Sequence, residues 1–443
     1  MSRAFYRWIL GILCAILMVP FVGYVWTGWY SRYLQDDYCY AAFLRGGNFF
    51  ATQWHSYSNI GAYSANRYSL TFLMGISEAI GRFTVALLPG LAIILWVAGF
   101  MALLRQMNLH DWLKLETLEC FALSLAIVDL AIYQAPNRVQ ILYWRAGMLP
   151  YLAPLVTQTF LAAGILQASR RQKPTIVGLM GLLLLAFLAA GFSETGAAFQ
   201  VGILGISFIA ALTMNGKKKL FGKQFLTSLG GALLGTLLGG LALVFSPVNA
   251  QRMSTIYTET QSTAGVLTLS SAGVVAYIQN LLYRVTLPPF FAFFLFVAFG
   301  WIYAIRQKRS THLSFRKVIL ILIGVQVIHL SLIFITLVPS AYAMSSYPAD
   351  RSLLSARFAS ILMTAISGLF IGTYLAENIH KRLFRRIILP ILAATPVLGV
   401  GLLLLADPTL TLEPAYPDMR AYVLTHIPAI GFILIAGLTL GYL

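Results

Sequence analysis

The chain predicts an all-α polytopic membrane protein of eleven spans in one domain covering residues 1–443, and three observations predict it. Apolar residues make up 59% of the sequence and charged residues only 10%, against about 25% charged in a soluble domain. Apolar runs of 18 residues or more recur along the chain, each long enough to cross about 30 Å of hydrocarbon. The basic residues fall in the loops between those runs with the bias that cytoplasmic loops carry.

The first run, Trp8–Trp29, follows Arg3 and Arg7. It is too long for a signal-peptide core and no small-residue cleavage site follows it, so it reads as an uncleaved span with a cytoplasmic N-terminus. Further spans are expected near Phe83–Leu104, Leu118–Ile132, Gly147–Ala168, Thr175–Phe192, Thr195–Met214, Phe225–Phe245, Leu287–Ile305, Val318–Val338, Leu353–Ala376 and Ile387–Ala406. The tail Tyr422–Leu443 reads as a twelfth span or as an outer helix with an apolar strand. The first outer loop, 30–82, is too long for a simple turn and should hold its own helices. Its stretch Tyr68–Ile80 is apolar enough to lie along the membrane surface. Glycines at 230, 231, 235, 239 and 240 suit close helix packing in lipid.

All nine lysines fall in loops that this scheme makes cytoplasmic. The eleven basic residues on the outer side are all arginine: Arg32, Arg45, Arg67, Arg82, Arg138, Arg145, Arg252, Arg284, Arg351, Arg357 and Arg420. Arginine presents a planar fork that matches phosphate and carboxylate, whereas lysine is a solvated point charge. The net charge of +17 is mostly this topology signal, and its inner clusters suit anionic lipid head groups. Spread over short loops, it forms no single basic patch and argues against nucleic-acid binding. Three cysteines make no disulfide framework. No nucleotide-binding or metal motif is present.

Chemistry is therefore expected at the outer ends of the helices. The tandem acids Asp36 and Asp37 stand just past the first span in a chain with only 14 acids. Either they do chemistry or they cap a helix starting near Ala41. The same side carries Trp54, His55, Asn66 and Arg67, then Tyr143, Trp144 and Arg145, then Ser193-Glu194-Thr195. A segment from Ser246 to Pro289 holds Asn249 and Arg252, and a later one holds Asp350, Arg351 and Arg357. Within the spans, His329 beside Gln326 reads as an interhelical hydrogen bond, and Asp129 similarly. An ion pair with Asp350, Glu194 or Glu259 is the bland alternative for each of Arg252, Arg351, Arg67 and Arg357. Packing in the interfacial aromatic belt is the bland alternative for each aromatic residue.

In order along the chain, Asp36-Asp37-Tyr38, Asn66-Arg67-Tyr68, Tyr143-Trp144-x-x-Gly147, Glu194, Pro247-x-Asn249-x-x-Arg252 and Asp350-Arg351 resemble the GT-C class of integral-membrane glycosyltransferases. The resemblance is to bacterial members related to the glucosyltransferases that decorate O-antigen and other envelope glycans. It implies a bacterial cytoplasmic membrane, an active site on the outer face, and inverting transfer of a sugar from a polyprenyl-phosphate donor to a glycan or lipid acceptor. Relatives of this kind often add a soluble outer domain after the last span. Residues 407–443 read as an outer segment or last span, with the chain either truncated there or lacking that domain.

The resemblance implies that one carboxylate accepts the acceptor's proton, with Asp37 favoured over Asp36. The leaving phosphate departs as an anion, so arginines suffice to stabilise it: Arg252 and Arg351 first, then Arg67 and Arg357. Asn66, Trp54, His55, Tyr143, Trp144 and Glu194 are the expected sugar or acceptor contacts. No metal set is evident, and a divalent ion on the aspartate pair is the one cofactor the residues allow. The rival readings are a lipid-linked glycan polymerase or ligase, a transporter or flippase of lipid-linked sugars, and a non-catalytic scaffold. Transporters place ionisable groups near the midplane between related halves, and this chain has neither feature.

Overall fold

A computed structural model describes residues 3–45, 47–59, 66–110, 114–170, 175–218, 222–249, 262–283, 287–307 and 314–378. Among the described residues the protein is entirely helical and multi-pass in character, with eight helices long and apolar enough to cross a membrane. In chain order the helices are α1 (Arg3–Trp29), α2 (Asp36–Leu44), α3 (Phe49–Ser58), α4 (Tyr68–Ile80), α5 (Thr84–Leu109), α6 (Thr117–Tyr133), α7 (Arg145–Ser169), α8 (Ile176–Ala190), α9 (Glu194–Lys218), α10 (Lys223–Val244), α11 (Thr263–Tyr283), α12 (Leu287–Gln307), α13 (Phe315–Met344) and α14 (Leu354–Asn378). A π-helical turn, Val139–Tyr143, precedes α7, and a 3-10 turn, Asp350–Leu353, precedes α14.

Local signals start several of these helices. The Glu116 and Glu119 carboxylates form a reciprocal capping box on α6. Asn48 accepts from the Phe50 and Ala51 amides at α3, and Thr175 and Ser314 cap α8 and α13 in the same way. Helix pairs then pack where small residues allow it. A Cβ on Gly235 of α10 would lie 2.3 Å from the Leu183 carbonyl oxygen of α8, and one on Gly372 of α14 would strike the Val297 carbonyl of α12. Of the five glycines singled out by sequence, Gly235 and Gly239 make such close approaches, while Gly240 faces open space.

The core runs from α1, α5 and α6 through α7 to α14, with Trp96, Val128, Ile132, Leu152 and Ala359 completely enclosed. Large apolar side chains remain exposed around the bundle, among them Val22, Ile94, Leu241 and Val327, as a lipid-facing surface requires. Ten of the expected spans have counterparts. Seven of these are among the eight long apolar helices; α6 and α8 are short, at 17 and 15 residues, and in α12 the apolar stretch is Phe296–Ile305. The eleventh, Ile387–Ala406, and the tail lie outside the described residues.

One expectation needs correction. The segment from Ser246 to Pro289 is expected as an outer segment between spans, yet Thr263–Tyr283 is helix α11, long and apolar enough to cross a membrane, and is packed on α13. The Phe293–Val297 stretch of α12 adjoins Gly368, and Val297 to Trp301 adjoins Gly372, so α12 runs parallel to α14. In α11, Gly273 meets Leu337 and Tyr347, and one turn later Tyr277 reaches Ser360. Hence α11 descends in the same direction as α12. Helix α4 has the predicted bounds; Leu70 and Met74 are buried where it packs on α2, α3, α5 and α7, while Phe72 and Ile80 stay exposed.

Candidate functional site

The short helices α2, α3 and α4 gather at one end of the bundle, beside the first turns of α7 and α9 and the start of α14. Helix α2 begins at Asp36, five residues earlier than the capping alternative required, and its N-cap is Gln35, which makes no side-chain cap bond. Gln35 has φ 43° and ψ −114°, a conformation that costs a non-glycine residue about 1–3 kcal/mol. The neighbouring groups hold it there. The Leu34 amide donates to Asp37 Oδ2 at 3.1 Å, the Leu34 carbonyl accepts from Trp144 Nε1 at 3.0 Å, and it also accepts from the Asp37 amide at 2.9 Å.

The tandem aspartates have opposite surroundings. Asp37 is fully buried. Its Oδ1 accepts from the Ala146 amide at 3.0 Å and faces Arg145 Nε at 3.4 Å. Burial pushes its carboxyl above the usual range, against the pull of Arg145 and the two amides. Asp36 is half-buried, and no ion pair or side-chain hydrogen bond engages it among the described residues.

Arg145 joins three helices. It is 2% exposed. Its Nη1 donates to Ser77 Oγ at 3.0 Å and to Glu78, both on α4. Its Nη2 reaches the Asp37 carbonyl on α2 at 3.5 Å, and the guanidinium lies 4.9 Å from the Tyr33 ring centre. Glu78 also takes the Tyr33 hydroxyl on both oxygens, at 2.7 and 2.8 Å, and Arg45 Nε at 2.9 Å. Burial alone would raise the Glu78 carboxyl, but the donors Tyr33, Arg145 and Arg45 outweigh it and hold it below its usual range. Two acids and two arginines thus form a neutral, saturated cluster, the arrangement a buried charge needs. Sequence reasoning assigned no role to Glu78 or Tyr33 and none to Arg145 as a bridge. The available signal was an acid and an arginine at the ends of two apolar helices, each needing a partner.

A second pair sits nearby. Asn66, fully buried, donates to Glu194 Oε1 at 2.6 Å, and Arg67 donates through Nε at 2.9 Å and Nη2 at 2.7 Å to Glu194 Oε2. The Asn-Arg-Tyr motif therefore docks on the start of α9, the ion-pair alternative for Arg67. Its Tyr68 continues the contact by donating to the Phe187 carbonyl at 2.6 Å.

Arg351 differs from both arginines. It donates to Gln140 Oε1 at 3.1 Å and lies 5.1 Å from the Trp144 ring centre. It has no carboxylate partner among the described residues. Beside it, Ser352 donates to the Tyr151 hydroxyl at 3.0 Å. The Tyr-Trp-x-x-Gly motif explains the local shape. A Cβ at Gly147 would lie 2.3 Å from the Gln140 carbonyl oxygen, so only glycine lets the π turn fold onto α7.

The remaining predicted residues are dispersed. Arg357 lies 5.6 Å from the Tyr277 ring, and its buried Nε has no hydrogen-bond partner among the described residues. Tyr143 is half-buried against the core. Trp54 is 70% exposed and its ring neighbour is Tyr57. His55 stacks on Phe43 and meets Asn59. Neither Trp54 nor His55 touches the clusters above. Arg252 and Glu259 lie outside the described residues. His329 does make the interhelical bond, to Ser360 at 2.8 Å, whereas Asp129 Oδ1 has no partner among the described residues. Among the described residues there is no group of three or more His, Cys, Asp and Glu side chains placed to hold a metal. No protein-family model matches the chain, and no curated protein or solved structure is detectably similar to it.

Proposed function

We propose that the protein is an inverting glycosyltransferase of GT-C type. It moves a sugar from a polyprenyl-phosphate donor to an envelope glycan or lipid acceptor, at the outer face of a bacterial cytoplasmic membrane crossed by about eleven spans. One observation carries the reading. Among the described residues Asp36 is an unengaged carboxylate and Arg351 a guanidinium without an acid partner, and Trp144 links their surroundings: it bonds the Leu34 carbonyl, two residues before Asp36, and stacks under Arg351.

Asp36, rather than Asp37, is the base in this proposal. Asp37 has both oxygens committed to amides and to Arg145, so accepting a proton there would break a buried ion pair. Asp36 takes the acceptor hydroxyl's proton as the new C1–O bond forms on one face of the sugar. The bond from C1 to the phosphate oxygen breaks on the other face. The lipid phosphate leaves as an anion and needs no acid, because its second pKa is about 6. Arg351 offers the charge that grows on the leaving oxygens, and Trp144 holds that guanidinium by its face. Arg67 is committed to Glu194 and serves the fold of the site in this reading.

The test is sugar transfer in membranes with labelled polyprenyl-phosphate sugar. Asp36→Asn should express normally and abolish transfer. Full transfer by Asp36→Asn would remove it as the base. An impermeant thiol reagent should label Cys39, the exposed one of the three cysteines, in intact cells. Labelling only after lysis would put the site on the wrong side.

A further inference from the structure

The Asp37–Arg145–Glu78 cluster has a geometry that the proposed reaction does not use. Each of the three guanidinium nitrogens of Arg145 is engaged: Nε and Nη2 by Asp37, Nη1 by Ser77 and Glu78. The three partners come from two different helices, and Arg145 itself opens a third. The turn leading into α2 is strained at Gln35. Leu34, the residue before that strain, is held at its amide by Asp37 and at its carbonyl by Trp144. Strain persists only where the surroundings over-determine it. Without the clamp the turn has a downhill route to relax, and Asp36, the next residue, would move with it.

We propose that Arg145 is a positioning residue: by pairing with Asp37 and Glu78 together, it locks the strained entry turn of α2 and fixes the direction in which Asp36 is presented. This rests on the reading of Asp36 as base. On this view the tandem acids divide the work, Asp37 as anchor and Asp36 as the reacting group. Lysine cannot replace Arg145, because a single ammonium cannot satisfy acids lying on separate sides of a planar fork.

Cys39 gives a readout independent of activity. It lies on α2, two residues past Asp37, and is exposed, while Cys14 and Cys120 are buried. A nitroxide on Cys39 of the full chain in lipid nanodiscs therefore reports the mobility of α2. Arg145→Lys and the near-isosteric Glu78→Gln should each mobilise the label. Each should lower kcat roughly 10- to 100-fold, the scale of a misplaced catalytic group, with the donor KM within about two-fold. Asp36→Asn should leave the label immobile. Gln35→Gly removes the strain, so in the Arg145→Lys background it should restore immobility and part of kcat. An immobile label in both Arg145→Lys and Glu78→Gln overturns the proposal. So does Asp37→Asn abolishing transfer with the label unmoved, because Asp37 would then act on the substrate. If the unaltered protein transfers no sugar, the enzymatic reading alone fails, and the label still decides the clamp.

Discussion

Arg145 and Arg351 flank the same tryptophan, yet they are opposite kinds of arginine. Arg145 is buried, faces two carboxylates and has every guanidinium nitrogen engaged. Arg351 is half-buried, makes one neutral hydrogen bond, and shows Trp144 only its face. A buried cation with its acids in place is a structural post, costly to remove because its partners are left bare. A cation without an acid keeps its fork for an anion that the protein does not supply. The difference separates architecture from chemistry more cleanly than residue type can.

That contrast can be broken at its strong end first. Arg145→Met should leave the buried Asp37 and Glu78 carboxylates without their shared cation, at a cost of about 3–5 kcal/mol. This should be visible as a large fall in thermal stability in detergent. Adding Asp37→Asn and Glu78→Gln should recover much of it. A wild-type melting temperature for Arg145→Met would mean the cluster is no post. Arg351→Met should leave the melting temperature nearly unchanged.

Activity should show the reverse order. Arg351→Lys should weaken use of the lipid-phosphate donor by roughly 10- to 100-fold, the scale of about 1.5–3 kcal/mol for hydrogen bonds to a charged group. Stability should be unaffected. Transfer assays across donor concentrations check this, and unchanged donor dependence would remove Arg351 from the phosphate site.

A pH scan of stability sharpens the comparison within the cluster. Glu78 is held below its ordinary range, so its contribution is complete above the unfolded carboxylate value and is lost as pH falls through the depressed folded value. Asp37 is raised by burial, so it has the opposite sign: its ionisation opposes folding at neutral pH, and stability rises as pH falls through its raised value. Glu78→Gln should remove the loss at the acid end, and Asp37→Asn should remove the gain that precedes it. Identical profiles in both variants would contradict the two directions. The smallest effect belongs to Gln140→Ala, which removes one neutral hydrogen bond from Arg351. About 0.5–1.5 kcal/mol is expected, read as a change of roughly ten-fold or less in donor affinity.

Long helices were readable because hydropathy is a local property. Trp8–Trp29, Phe83–Leu104 and Val318–Val338 fall on α1 (Arg3–Trp29), α5 (Thr84–Leu109) and α13 (Phe315–Met344), and Tyr68–Ile80 matches α4 at both ends. Thr263–Tyr283 was not readable, because its many serines, threonines and glycines dilute the apolar signal. The tandem aspartates stood out by rarity in an apolar chain. Their division did not, since a helix turns about 100° between neighbours and only packing decides which one turns inward.

Composition and basic-residue bias by themselves determined a helical membrane protein whose polar chemistry collects at helix ends, because apolar runs and their flanking charges are written residue by residue. The tertiary structure alone decided which arginine is spent on an acid and which is left open. It also decided that Asp37 is buried while Asp36 stays unengaged. The physical reason is that a charge's fate depends on partners brought from other helices, such as Glu78 on α4, 67 residues from Arg145 along the chain. No local pattern records that distance closing.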